Sequence, residues 1–351
     1  MEILPKTLGT RPRLAVELRA DGVVAARAED ASALLTAIAQ SPLTDGAICA
    51  GLRGGNIADP ARVTAAIRTA LDAVAGRGGD RIRDVTIVVP DAAARVLLLD
   101  FDDLPGKAAE ALPVIRFRLK KLVPFDADTA AVSYQVMASE RGTVRVLAVA
   151  MPREVLEEYE GAVAAAGYAS GAVLPSTLAA LACLNEQEAP ALVVNCSHGG
   201  VTTAIVRAGV LMLHRTLEVA CEAISSTEHS GGVLQAQDGS RGYDRCGYDR
   251  IEAEAGIETQ VLESSEGALA AREIAQAVCV AAAYFEDTLG RASEAIVSAG
   301  TLGAEGLRIV LEESGLDGLR VQEMVGADAL AAAAATMPRG WLAGVRGALR
   351  N

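Results

Sequence analysis

Aromatic side chains are nearly missing from this chain: they make up 3% of its residues, with four Phe, six Tyr and one Trp. Its core must therefore be aliphatic, drawn from the Ala, Val, Leu and Ile that dominate a 51% hydrophobic composition. Histidine is just as scarce, at three, and the six cysteines (Cys49, Cys183, Cys196, Cys221, Cys246, Cys279) are scattered without a CxxC pair. That spacing argues against a zinc site. It suits a reducing compartment, where Cys acts as a small buried hydrophobe. Basic charge is in deficit, with a net charge of −13, so nonspecific binding to nucleic acid or to an anionic membrane surface is not expected. Residues 1–13 hold no secretory apolar core, and no run approaches the ~18 uncharged apolar residues of a spanning helix. The expectation is a soluble protein.

What remains is enough, at 351 residues, for one large core or two ordinary ones. Leu14–Leu18 and Val23–Ala28 flank Ala20-Asp21-Gly22, a hairpin signal, and Ile48–Gly51 offers a third strand. Asp59-Pro60 then caps a helix running to about Val74, with Val63, Ile67, Leu71 and Val74 on one face. The second half repeats the logic. Strands are expected at Ala191–Val194, Thr202–Val206 and Val210–His214, the last two joined by Ala208-Gly209. A helix follows over Arg272–Leu289, then a strand at Ala295–Val297, a further helix, and an Ala-rich packing helix over Ala327–Thr336. Two related α/β lobes are the reading. Residues 222–266, polar and Gly- and Ser-rich with a doubled Gly-Tyr-Asp-Arg, read as a flexible or reduced segment.

The most specific stretch is 87–181. Its order is Ile87-Val88-Val89-Pro90, Val96–Leu99, Leu104-Pro105, a helix through Glu110-Ala111 to Leu122-Val123-Pro124-Phe125-Asp126, and Tyr134-Gln135-Val136. Leu147–Ala150, Arg153-Glu154-Val155, Tyr159, Ala166-Gly167 and Ser176–Ala179 complete it. In this order and spacing the chain resembles the PilM family, actin-like cytoplasmic proteins of type IV pilus assembly, and more distantly FtsA. The resemblance covers most of the chain, from about Leu14 to Leu311. It implies an actin-like α/β fold: duplicated ribonuclease-H-like lobes around a nucleotide cleft, with a small α+β subdomain inserted in the first. The first lobe would be 1–190, the insertion about 85–166 and the second lobe 191–351.

The resemblance also implies a scaffold that binds the N-terminal cytoplasmic peptide of an inner-membrane PilN-like protein. It would be cytoplasmic, peripheral to the membrane through that partner, and near the pilus motor ATPases. Leu122, Val123, Pro124 and Phe125 are candidates for the peptide groove, between insertion and first lobe.

Family members hold ATP and Mg2+ between Gly-containing hairpin turns whose amides cradle phosphates, with acidic residues around a hydrated magnesium. In this sequence the positions that correspond by the resemblance are Glu17 and Arg19 in the first turn and Asn195, Ser197, Gly199, Gly200 and Thr202 in the second. Ser298 and Gly300 stand in the adenosine turn, and Leu174-Pro175-Ser176 where an acidic residue is expected. Glu17 and Asn195 replace Asp, Arg19 replaces Gly, and Val24 replaces Lys. The degenerate set points to a pseudo-ATPase that holds Mg2+ and ATP weakly or not at all, with no catalytic residue and no metal ligand assigned. An active ATPase or sugar-kinase-like enzyme of the same fold, an FtsA-like filament former and a GspL-type secretion adaptor are the alternatives. His198 and Cys196 lack an orienting third group and read as a polar turn residue and a buried thiol. Arg116, Arg118, Lys120 and Lys121 form a basic cluster, read equally as a site for acidic lipid headgroups or as the solvated face of a helix whose Ile115, Leu119 and Leu122 point inward.

Overall fold

A two-residue turn, Ala20-Asp21, joins β1 (Leu14–Arg19) to β2 (Gly22–Ala28) in an antiparallel hairpin, as the Asp-Gly signal predicts. The computed structural model describes residues 12–30, 32–76, 82–140, 142–184, 189–219, 265–316, 318–330 and 337–350. The third strand is not at Ile48, which makes only an isolated bridge to Ile57. It is β3 (Leu35–Pro42), antiparallel to β2. Its outer side chains are mostly half-exposed, so it carries no run of apolar residues for sequence reading to find.

Helix α1 (Pro60–Val74) starts where the Asp59-Pro60 pair places it: Asp59 Oδ1 accepts the Arg62 amide at 3.0 Å. Strand β4 (Asp84–Val89) returns parallel to β1. After an excursion, α3 (Arg153–Ala165) leads into β8 (Ala169–Pro175), parallel to β4, and then α4 (Ser176–Leu181). The sheet order is β3-β2-β1-β4-β8.

The second lobe reproduces this order. Strands β9 (Ala191–Ser197), β10 (Gly200–Arg207) and β11 (Val210–Glu218) are antiparallel, and β12 (Ile296–Gly300) and β13 (Val321–Glu323) add in parallel, giving β11-β10-β9-β12-β13. Helices α5 (Ser265–Leu289) and α6 (Gly303–Glu313) make the crossovers. The β10–β11 turn, Ala208-Gly209, has φ of 49° and 74°, the two positive values of a tight hairpin turn. By length and composition, Ala268–Leu289 is apolar enough to cross a membrane, contrary to the expectation of no such run. Its Ala-rich sequence is sparse in charge, and Ile274, Val278, Ala281 and Phe285 are buried against the second sheet.

The excursion forms its own three-stranded sheet, β5-β7-β6, from β5 (Arg95–Phe101), β6 (Ala131–Glu140) and β7 (Thr143–Met151). Helix α2 (Ala108–Leu119) covers one face through Ile115 and Leu119. Leu122, expected to point inward, lies past the helix end and is exposed. On the opposite face Met137 and Leu147 share a core with Leu211 of β11, so the insertion rests against the second lobe. The whole is an actin-like fold: duplicated ribonuclease-H-like lobes with a small α+β subdomain in the first.

Near the C-terminus, Ala327–Ala329 forms a single 3-10 turn where a packing helix was expected, and residues 331–336 lie outside the described residues, as does the 222–264 part of the polar segment. A 3-10 turn at Arg339–Leu342 leads instead into α7 (Ala343–Leu349), which crosses α4 and packs on the first sheet. The crossing is so close that a methyl added at Gly347 would stand 1.8 Å from the Ala179 carbonyl oxygen. Gly347→Ala is expected to lower stability by about 1–3 kcal/mol or more through overpacking, while Gly106→Ala, with open space around it, changes little. Denaturant melts of the two variants check this, and equal stability would contradict the crossing.

Candidate functional site

The two lobes meet at a floor of buried polar side chains. Asp91, in the 3-10 turn that follows β4, is 6% exposed. Its Oδ1 accepts the Thr177 amide at 2.9 Å, which caps α4. Its Oδ2 accepts the Thr177 hydroxyl and, at 2.9 Å, the Thr202 hydroxyl of β10. Asn195 Nδ2, at the end of β9, donates to Thr177 Oγ1 at 2.9 Å and Ser176 Oγ at 3.2 Å. Ser176 in turn donates to Glu17 Oε1 at 2.8 Å. One chain of hydrogen bonds thus runs from β1 through α4 to β9 and β10.

Asp91 brings a carboxylate to the start of α4, where Leu174-Pro175-Ser176 supply none. It comes from a different element, 86 residues earlier than its helix partner. The available signal was Pro90-Asp91 directly after an apolar strand, since open α/β sheets place functional groups at the carboxyl ends of parallel strands.

Glu17 is fully buried, and desolvation raises its pKa above the usual carboxylate value, against the lowering effects of Arg19 and of the Ser176 hydrogen bond. Its Oε2 accepts no hydrogen bond and packs on Gly344 of α7. Arg19 is 5% exposed, and its guanidinium lies 4.4 Å from the Trp341 ring centroid and 3.4 Å from Asp21 Oδ1. Trp341 Nε1 donates to the Thr301 carbonyl at 3.0 Å, beside the turn that ends β12. Gly300, at φ 86°, allows that turn: a Cβ would fall 1.9 Å from the Cys196 carbonyl oxygen. Ser298 is buried with its hydroxyl unpartnered. Sequence reading missed Trp341 altogether; its being the only Trp in the chain was the signal.

Ser197, Gly199 and Gly200 stay at the second turn, lining with Ala20, Asp91 and Thr202 a cavity of about 330 Å³. His198 is at its edge and Cys196 is buried, its thiol pushed up to about 12 by desolvation. No hydrogen bond joins them. Burial also lowers the pKa of His214, which neighbours Asp91.

These residues do not fit Mg2+ and ATP. Both Asp91 oxygens are engaged by protein donors, burial raises the pKa of Glu17, and Arg19, which by the resemblance takes a Gly position, is buried against Trp341. Two members of the basic cluster, Arg116 and Lys120, are likewise committed. Arg116 Nη1 donates to the carbonyls of Ala127 and Ala130, and Lys120 pairs with Asp128.

A separate groove of about 260 Å³ lies between the insertion and the first lobe, lined among others by Val132, Val149, Leu156, Glu160, Ala172 and Val173. Strand β6 pairs with β7 alone and β8 with β4 alone among the described residues, so two free strand edges flank it. Leu122, Val123, Pro124 and Phe125 are not in its lining: Val123 is buried in the insertion's core, Phe125 packs against that core, and Leu122 faces solvent.

No family model matches this sequence, and no curated protein matches it. Among solved structures, a chain of the PilM–PilN type IV pilus biogenesis complex matches with a TM-score of 0.72 at 18% identity, over 96% of this chain and 98% of that one. The ethanolamine utilization protein EutJ from Carboxydothermus hydrogenoformans matches at TM-score 0.47 and 13% identity, over 99% and 90% of the two chains. The cytoplasmic domain of EpsL, of the Vibrio cholerae type II secretion system, matches at 0.38 and 13%, over 58% and 70%. The first of these carries the fold assignment.

The Glu17 environment gives a pH dependence. A raised folded-state pKa means stability from this group is complete below the ordinary carboxylate value and is lost as pH rises through the raised one. Glu17→Gln is therefore expected to gain melting temperature relative to the parent between acid and neutral pH, and a gap independent of pH would contradict the burial argument.

Proposed function

We propose that this chain is an actin-like adaptor of type IV pilus assembly, cytoplasmic and peripheral at the inner membrane, that binds the N-terminal peptide of a PilN-like membrane protein. The observation that carries the reading is the superposition of nearly the whole chain on a chain of the PilM–PilN complex. The groove between β6 and β8 supports it independently. An extended peptide entering there can add to a free strand edge through main-chain hydrogen bonds while its alternate side chains reach the apolar lining. Glu160 is the only charged residue in that lining, so a peptide with a basic group beside its apolar positions is the better fit, and an acidic one is disfavoured.

The work of such a protein is binding and coupling toward the motor ATPases of the pilus machine. It is not bond making: Asp91 has both oxygens held by protein donors and Glu17 is buried beneath α7, and the reading is a pseudo-ATPase.

Val132→Asp places a charge in the groove without touching the cleft. It is expected to weaken a fluorescent N-terminal PilN peptide by about tenfold or more, since an unpaired charge against apolar surface costs at least ~1–3 kcal/mol. Fluorescence anisotropy reads the change, and circular dichroism establishes that the variant is folded. Undiminished affinity would remove the groove from the proposal.

A further inference from the structure

The poor fit between the cleft and a nucleotide has a positive counterpart. We propose that Arg19 and Trp341 form an internal ligand: the pair spans the turns after β1 and β12, beside the cavity at the second turn, and ties the first lobe to the second, so the closed arrangement of the lobes is set by the chain alone. This rests on the fold and the cleft geometry, and stands whether or not the groove takes a pilus peptide.

Five observations converge. Arg19 leaves β1 of the first lobe, yet its cation is buried against the Trp341 ring at 4.4 Å. Trp341 reaches on to the second lobe through the 3.0 Å bond from Nε1 to Thr301 O. The same two turns, one after β1 and one after β12, are those a nucleotide would bridge in this fold. Next, the Arg19 cation already has an ion-pair partner of its own, because Asp21 Oδ1 lies 3.4 Å from Arg19 Nε.

The amino end of α6 is answered too. Glu323 Oε1, from β13, accepts the Ala304 amide at 2.9 Å and places a carboxylate at the helix's positive end. Finally, the Asp91–Thr202 bond of 2.9 Å ties the lobes a second time. Because the insertion rests on β11, fixing the lobes also fixes the insertion that forms one wall of the β6–β8 groove.

Two readouts test this on the full chain. Trp341 is the only tryptophan, so intrinsic fluorescence reports the pair directly. Its emission should be that of a buried indole, poorly quenched by acrylamide and unmoved by millimolar ATP with Mg2+. Arg19→Lys and Arg19→Ala should shift it to the red and raise quenching several-fold.

The second readout is the distance between spin labels on Cys49 of the first lobe and Cys279 of α5, both exposed, with Cys221 and Cys246 replaced by Ser. Double electron–electron resonance should give one narrow distance, the same with and without ATP and Mg2+. That distance should broaden in Arg19→Ala and in Trp341→Phe, which keeps an aromatic ring but loses the bond to Thr301. A distance that narrows only when ATP and Mg2+ are added would overturn the proposal. So would a distribution that stays narrow in both variants.

Discussion

The carboxylate of Asp91 is the point on which the arrangement of the two lobes depends. It terminates the central parallel strand of the first sheet, caps the helix that leaves that lobe, and accepts a hydroxyl from the second lobe's β10. A buried carboxylate is costly unless its lone pairs are filled. Here they are filled by groups from two elements, α4 and β10, so moving either one leaves carboxylate lone pairs without their donor. That requirement makes the interface specific: the strand end, the helix start and the hairpin must arrive together.

Around this point the packing is aliphatic and glycine-limited, as a chain poor in aromatics requires. The close crossing of α4 and α7, and of the β12 turn with β9, takes place where glycine removes a side chain. The sole tryptophan is reserved for the cleft, where a large flat ring fills space that small aliphatic side chains would leave open.

Local features were legible in the sequence. The β1–β2 and β10–β11 hairpins follow from their turn residues, and α1 from its cap and its single apolar face. The order of strands and helices through 87–181 led to the fold through the family resemblance that this order carries. What escaped were features set by distant partners. β3 is an edge strand with a half-exposed pattern, so Ile48 looked the better candidate. Asp91 meets Thr177 and Thr202 across 86 and 111 residues, and Trp341 meets Arg19 across 322; no spacing rule reaches that far. Leu122 looked like one more inward position of α2, but the helix stops at Leu119, and the periodicity stops with it.

These parts give an account in which recognition and nucleotide chemistry are separate. The groove lies between strands β6 and β8, each an edge strand among the described residues, while the proposed Arg19–Trp341 pair belongs to the cleft. The most direct test is calorimetric titration of an N-terminal PilN peptide into the full chain, without nucleotide and again with ATP and Mg2+. The account predicts binding with the same Kd in both. Binding that appears only with ATP and Mg2+, or no binding in either, would contradict it.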